Sequence, residues 1–295
     1  MVGQSFDERF KGKLLETLRF SIDFIESHGL RWWACGGTML GAVRHNNIIP
    51  WDDDVDIMMP REDYKKLLSF SSDLNNTKYV LLSPHSKDYY LTSAKICDWE
   101  TTVVESARYP FPLGVFVDIF PLDRFDYPFQ DYQKRFESYQ RKAQAFKLGM
   151  SRYSISEAID NIRTRHFGSL YFGCKSVLYP YKKREKYRKR FLDVEEVFNK
   201  GEGAYIASPT GAYGVREFFL SEWFEETIEV QFDDFHVKVP KEYDKYLSVM
   251  YGDYLQLPPM EKRMSHHGQF YINLDKHCTW DEVILDKHLL NTNQV

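Results

Sequence analysis

The chain has 295 residues, of which 43% are hydrophobic and 28% are charged, and its formal net charge at pH 7 is −4. A chain of this length and apolar content forms one large domain or two smaller ones, and the composition excludes an intrinsically disordered protein. The acidic balance argues against a general nucleic-acid-binding protein, which would usually be basic.

The first predicted elements are a helix and a strand that lead to a pair of glycines. Apolar residues recur at helical spacing over residues 6–28, and Gly29 is a natural stop for that helix. Residues 31–35 predict a strand, which is followed directly by Gly36 and Gly37. Glycines between a strand and a helix allow a phosphate to approach backbone N–H groups closely, and the N-terminus of the helix favours the anion.

Residues 36–57 carry the strongest functional pattern in the chain. A short helix is predicted from about Thr38, and Asp54 and Asp56 then alternate with apolar residues, which is typical of a half-buried strand. The two carboxylates would lie on one face, where they repel each other unless a cation lies between them. Such hard oxygen ligands favour Mg²⁺ or Mn²⁺, with Asp52 as a further ligand. A solvated turn and a structural calcium loop are the alternatives.

The pattern over residues 36–57 resembles that of the nucleotidyltransferase fold, in which a Gly-Gly or Gly-Ser turn precedes an acidic-apolar-acidic strand. With Arg44, the Pro50–Trp51 pair and the aspartate cluster, it is similar more narrowly to the LicD family of bacterial phosphocholine transferases and the related fukutin proteins. The resemblance implies an α+β fold, with a nucleotidyltransferase-like mixed sheet, flanking helices and a helical insert.

Further along the chain, a helix is predicted at 61–74, a strand at 79–83 and two strands within 89–105. The next predicted strand contains Asp118 within an apolar segment, and a buried carboxylate without a partner is costly. A metal held by the upstream aspartates would be that partner. The LicD-type signature has an aspartate followed by Ile-Phe-Pro-Leu-Asp, as here; capping of a turn before Pro121 is the alternative.

The second half of the chain changes in composition. Residues 128–200 are strongly charged, with helices predicted at 129–149, 155–163, 166–178 and 181–199. The basic run at 182–190 is either a solvated helix face or a contact for an anionic membrane or a lipid-linked acceptor. Glycine-rich residues 201–214 either line the site or form an ordinary loop; strands at 222–240 and a helix at 241–251 follow. These changes suggest a catalytic core (1–127), a helical insert (128–200) and a C-terminal part that returns to the core (201–295).

The resemblance implies transfer of phosphocholine from CDP-choline to a hydroxyl of a cell-surface glycan precursor (teichoic acid, capsule or lipopolysaccharide), with release of CMP. The implied catalytic residues are Asp54, Asp56 and Asp118, and the implied metal ligands are Asp52, Asp54, Asp56 and Asp118. Asp118 would also accept the proton of the acceptor hydroxyl. The donor diphosphate would contact Gly36, Gly37 and Thr38, with Arg44 and Lys95 as neutralising cations.

The residues alone indicate only a nucleotide-diphosphate donor and a divalent metal. CDP-ribitol and CDP-glycerol are alternative donors, and a nucleotidyltransferase acting on nucleic acid or an inactive binding module are alternative functions. A choline group would require aromatic faces around its cation, since it offers no hydrogen-bond donor. The candidates for such a cage are Tyr89, Tyr90, Trp99, Trp223 and Phe224.

The cysteines and the N-terminus concern the cellular compartment. Four cysteines are widely spaced without a Cys-x-x-Cys pair, which predicts reduced thiols. The polar, charged N-terminus predicts no signal peptide, and no apolar run approaches the length of a bilayer. We therefore expect a cytoplasmic protein, in peripheral contact with the cytoplasmic face of the membrane where the basic run contacts lipid.

Overall fold

The computed structural model describes residues 8–152, 178–195, 198–264 and 269–292, with four isolated positions between 153 and 177. The helices within these residues are α1 (Glu8–Ser27), α2 (Gly36–His45), α3 (Arg61–Ser69), α4 (Phe129–Met150), α5 (Arg184–Leu192), α6 (Tyr243–Tyr251) and α7 (Trp280–Thr292). The strands are β1 (Trp33–Ala34), β2 (Asp56–Pro60), β3 (Tyr79–Leu82), β4 (Ala94–Val104), β5 (Leu113–Phe125), β6 (Tyr205–Ala207), β7 (Phe218–Leu220), β8 (Thr227–Phe232), β9 (Phe235–Pro240) and β10 (Tyr271–Asn273).

Eight of these strands form one mixed sheet. Its central order is β1-β2-β5-β4-β10, with β3 also beside β4, and with β6 joining β5 to β7. The β2–β5 pairing is parallel and the other pairings are antiparallel, while β8 and β9 form a separate hairpin. Because helices cover a mixed sheet, the predicted α+β class is confirmed.

The main core lies between this sheet and the helices that cover it. The apolar stripe of α1, which includes Leu14, Leu18 and Ile25, is fully buried, as its helical spacing predicted. Gly29 ends α1 with a φ of +66°, a conformation that glycine adopts without strain. A second core joins α4 and α5 through stacked rings of Phe146 and Phe191.

A buried ion pair connects the two parallel strands at one end. Arg61, the first residue after β2, donates from Nε and Nη2 to the two carboxylate oxygens of Asp123 on β5, at 2.7 and 3.0 Å. Both side chains are almost completely buried, and Glu195 lies 3.4 Å from the same guanidinium group. Two parallel hydrogen bonds to one carboxylate fix both distance and orientation, so this pair holds the end of β2 against β5.

The strand between residues 94 and 104 differs from the prediction. It is one strand rather than two, and the predicted turn at 98–100 is an irregularity in its pairing with β5. Gly114 allows this close approach, since a Cβ there would lie 1.9 Å from the carbonyl oxygen of Asp98. The backbone of β5 therefore fits under the bulged segment, and the strand continues instead of reversing.

Other boundaries also differ. The helix predicted at 61–74 ends at Ser69 and is followed by a 3-10 turn, and the one predicted at 181–199 is helical only to Leu192. The predicted helices at 155–163 and 166–178 lie outside the described residues, whereas β10 and α7 were not predicted. No helix in the described part of the chain has the length and apolar character needed to cross a bilayer.

Candidate active site

Three charged side chains lie in one row across the centre of the sheet. Asp56 on β2 is opposite Asp118 on β5, and Asp118 is opposite Lys95 on β4. The predicted strand at 54–57 begins only at Asp56, so Asp54 precedes it, but Asp54 still faces the same cavity. The pairing register therefore brings together residues that are more than 60 positions apart in sequence.

Asp118 has an ammonium group as its immediate partner. Lys95 Nζ donates to Asp118 Oδ2 at 2.6 Å, and Glu105 Oε1 lies 3.8 Å from the same nitrogen. Burial lowers the pKa of Lys95, but attraction to Asp118 and Glu105 more than offsets this, so its pKa is raised. The apolar surroundings of Asp118 had suggested a metal as its partner, but its immediate partner is Lys95. Asp118 does not cap a turn, because it lies within β5.

The remaining aspartates bring further negative charge close to this pair. Burial raises the pKa of Asp56 well above its ordinary value, and the charges of Asp54, Asp118 and Asp52 raise it further. Carboxylate oxygens of Asp52, Asp53 and Asp54 lie within 4.8 Å of one another. Such a set of oxygen donors fits a divalent cation such as Mg²⁺, which would relieve the repulsion.

The glycine pair lies directly against these carboxylates. Gly36 has a φ of +52°, and a Cβ on Gly36 or Gly37 would lie 3.3 Å from Asp56 Oδ2 or 2.3 Å from Asp52 Oδ2 respectively. Thr38 Oγ1 accepts a hydrogen bond of 2.7 Å from the backbone N–H of Asp56, which holds the start of β2 against α2. The first turn of α2 thus positions the aspartates, and a Cβ on Gly37 would displace the carboxylate of Asp52.

Several of these charged groups surround a cavity of about 450 Å³, here called the carboxylate cavity, whereas Gly36, Gly37, Thr38 and Asp52 do not line it. Its lining contains Asp54, Asp56, Asp118 and Lys95, together with residues that sequence reasoning missed: Asp53, Thr92, Ser93, Glu105, Lys147, Thr210 and Gln269. The oxygens Thr210 Oγ1 and Gln269 Oε1 are buried and have no hydrogen-bond partner among the described residues. The only sequence signal for Lys147 was a lysine next to the apolar run 148–150 of a charged helix.

Several predicted residues lie away from this cavity. Arg44 is at the opposite end of α2 from the glycines, where its Nη1 donates to the carbonyl oxygen of Tyr254 at 2.7 Å. None of the five aromatic residues suggested for a choline cage lines the carboxylate cavity, whose aromatic residues are Phe116 and Phe120. Tyr89, Tyr90 and Phe224 are core residues, and Trp99 stacks on His277.

The glycine-rich segment 201–214 lines one side of the site, which was one of the two interpretations of its sequence. Thr210 and Ala212 line the carboxylate cavity. The carboxylate of Glu217 accepts a hydrogen bond of 2.9 Å from the backbone N–H of Tyr213 in the same segment. A Cβ on Gly211 would lie 2.0 Å from the Glu217 carboxylate. Burial raises the pKa of Glu217 to about 7. The shape of this loop therefore depends on a buried carboxyl group that changes charge near neutral pH.

Comparison with known proteins agrees with this architecture. A family model described as LicD/FKTN/FKRP, nucleotidyltransferase domain, matches residues 29–174. The lipopolysaccharide cholinephosphotransferase LicD of Haemophilus influenzae is 26% identical over 265 residues, which cover 86% of this chain and 93% of that protein. The ribitol 5-phosphate transferase FKRP of Homo sapiens is 50% identical over 50 residues, which are 17% of this chain and 10% of FKRP. The chain therefore belongs to the LicD family, through a nucleotidyltransferase domain that spans residues 29–174.

Proposed function

We propose that this protein transfers phosphocholine from CDP-choline to a hydroxyl of a cell-surface glycan precursor, with release of CMP, in a reaction that requires Mg²⁺ or Mn²⁺. The observation that carries the proposal is the convergence of Asp54, Asp56, Asp118 and Lys95 on one cavity beside a glycine turn. The similarity to a lipopolysaccharide cholinephosphotransferase over most of both chains supports the choice of phosphocholine and of a glycan acceptor.

The donor diphosphate would approach the glycine turn, and Asp52, Asp54, Asp56 and Asp118 would hold the metal. When bound, a divalent cation neutralises the phosphoryl oxygens and stabilises the charge of the leaving group. Asp118 would accept the proton of the acceptor hydroxyl. A bond forms between the acceptor oxygen and the phosphorus of phosphocholine, and the bond between that phosphorus and the CMP oxygen breaks.

Lys95 would orient the base and limit the negative charge of the site. Its ammonium group is buried against the ring of Phe116, 3.3 Å from the ring centre, and donates to Asp118. In this position it holds one carboxylate oxygen of Asp118 and leaves the other available for the proton. This role differs from direct neutralisation of the donor diphosphate, which the motif had suggested.

A ribitol phosphate donor is the second candidate, because a segment of 50 residues is half identical to human ribitol 5-phosphate transferase FKRP. The two candidates differ only in the group attached to CDP. The absence of the suggested aromatic cage from the cavity lining makes this alternative worth a direct comparison. Acceptor chemistry does not need to be known for that comparison, since donor binding can be measured alone.

The experiment is a thermal-unfolding comparison of donors in the presence of Mg²⁺. A ligand that binds only the folded protein raises its melting temperature according to affinity, so CDP-choline should stabilise the protein more than CDP-ribitol, CDP-glycerol or ATP. Chelation of Mg²⁺ and the Asp56→Asn variant should each remove most of the effect. Greater stabilisation by CDP-ribitol or CDP-glycerol would replace the choline assignment, and greater stabilisation by ATP would overturn the proposed function.

A further inference from the structure

A second, larger cavity of about 680 Å³ adjoins the carboxylate cavity. It lies along α4 and is here called the α4 cavity. Thr92, Lys147 and Thr210 line both cavities, so the two spaces meet at these three residues. None of the residues that we assign to catalysis or to the metal lines the α4 cavity. This second space therefore requires its own explanation.

The wall of the α4 cavity that α4 forms carries several hydrogen-bonding side chains. Glu137, Gln140, Arg141 and Gln144 line the cavity at helical spacing, and all four are exposed. Amide, carboxylate and guanidinium groups in a row offer both donors and acceptors, as a ligand with many hydroxyl groups requires. Tyr109, stacked on Tyr90 with ring centres 4.1 Å apart, adds an aromatic surface that suits the apolar face of a sugar ring.

The junction of the two cavities contains polar groups that lack partners. Thr210 Oγ1 is buried without a hydrogen bond within the described part of the chain. Lys147 has no hydrogen-bond or ion-pair partner among the described residues either. Buried polar groups without partners cost free energy, which a polar ligand in this position would recover.

The position of the α4 cavity relative to the carboxylate row indicates which substrate it would take. In the sheet the row runs from Asp56 through Asp118 to Lys95, with the glycine turn at the Asp56 end. The α4 cavity lies at the Lys95 end, because Thr92 comes shortly before β4 and Lys147 interacts electrostatically with Glu105, Lys95 and Asp118. In-line displacement at phosphorus requires the attacking and leaving oxygens on opposite sides, so a donor at the glycine turn leaves the Lys95 end for the acceptor.

We propose that the α4 cavity binds the sugar of the acceptor glycan, with Gln140, Arg141 and Gln144 bonded to its hydroxyl groups and Thr210 at the reacting end. This inference rests on the proposed transfer to a glycan, and it adds the location and the chemistry of the acceptor site. The ligand class is a neutral sugar rather than a free phosphate, since Glu137 lies in the same row as Arg141.

The test is saturation-transfer NMR with the full chain and the methyl glycosides of glucose, galactose, N-acetylglucosamine and N-acetylgalactosamine. At least one glycoside should bind the wild-type protein. The double variant Gln140→Ala, Gln144→Ala should bind it about tenfold more weakly, because it loses two ordinary hydrogen bonds. Gln133→Ala is the matched control, since Gln133 is an exposed glutamine of α4 outside the cavity lining and should bind like wild type.

Two results would overturn the inference: no binding of any of the four glycosides by the wild-type protein, or equal binding by wild type and the double variant. Release of CMP from CDP-choline and CDP-ribitol by the wild-type protein is measured in parallel. If CMP is released but the double variant binds glycosides normally, only the acceptor site is wrong. If glycoside binding depends on Gln140 and Gln144 but no CMP is released, the sugar site is supported and the proposed transfer reaction fails.

Discussion

Replacing Asp56 or Asp118 by asparagine should change the stability of the metal-free protein in opposite directions. Asp118 is the immediate partner of Lys95, whose side chain is only 3% exposed. Removing one member of a buried ion pair leaves the other charge uncompensated, which typically costs 3–5 kcal/mol. Glu105 remains near Lys95 and the asparagine oxygen still accepts a hydrogen bond, so we expect Asp118→Asn to lose about 3 kcal/mol.

Within the described residues Asp56 has no such ion pair, and the carboxylates of Asp54, Asp118 and Asp52 act on it. Folding raises the pKa of the Asp56 carboxyl group. The contribution of such a group to the free energy of unfolding decreases as the pH rises from its pKa in the unfolded chain to its pKa in the folded protein. Above both values the charged Asp56 therefore opposes folding, and Asp56→Asn removes that opposition. We expect this variant to be as stable as wild type or more stable at pH 8 without metal.

The assay is urea unfolding followed by circular dichroism at pH 8 in the presence of a chelator, for wild type and both variants. Added Mg²⁺ should then stabilise wild type and have little effect on either variant, because each has lost a proposed ligand. Equal losses of stability in the two variants without metal would refute the argument from the Lys95–Asp118 pair. Full stabilisation of either variant by Mg²⁺ would remove that residue from the metal site.

Three further outcomes follow from particular contacts. Folding raises the pKa of Glu217 from 4.5 to about 7, so the free energy of unfolding should fall by up to about 3 kcal/mol as the pH rises across that interval. Urea unfolding at pH 5 and 8 should show that Glu217→Gln lacks this pH dependence, and an unchanged dependence in the variant would mean that another group causes it. The Gly37→Ala variant should fold normally, but CDP-choline should stabilise it less than wild type, because the new Cβ would displace the Asp52 carboxylate. Gly12→Ala is the control, since there is open space around Gly12, and this variant should bind CDP-choline normally. If α5 contacts an anionic membrane, reversing the exposed charges of Lys186, Lys189 and Arg190 should weaken binding to phosphatidylserine vesicles by about 1 kcal/mol each, and binding that ignores both salt and charge reversal would exclude this contact.

The parts of the fold that were predicted correctly depend on local periodicity. The buried stripe of α1, the long helix α4 and the hairpin β8–β9 each repeat a pattern within a few residues. The bounds of the two helices agree closely with the predicted ones, whereas the hairpin begins at Thr227 rather than at residue 222. β10 has only three residues, and the bulge in β4 depends on Gly114 beneath it, so neither has a local signature. Tertiary pairing determined these features.

The candidate site shows the same division. Alternation of acidic and apolar residues indicated Asp54 and Asp56, and an aspartate within an apolar strand indicated Asp118. The Lys95–Asp118 contact depends on the register between β4 and β5, which no single strand encodes. Lys147 and Thr210 reach the carboxylate cavity from segments that are distant in sequence. Arg44 was predicted to lie in the site because it is close in sequence to the glycines and aspartates, but its side chain points to Tyr254 instead.

The buried Arg61–Asp123 pair fixes the geometry of the two strands that carry Asp56 and Asp118. On β5, Asp123 lies only five residues beyond Asp118, and Arg61 lies five residues beyond Asp56. Asp56 begins β2 and Asp118 lies in the middle of β5, so the Arg61–Asp123 pair anchors both strands in the interior beyond the two aspartates. Substitutions around the carboxylate cavity can therefore change its lining while the spacing of the two aspartates stays constant. Conversely, a change at Arg61 would disturb the spacing of the two aspartates without altering any residue that lines the carboxylate cavity.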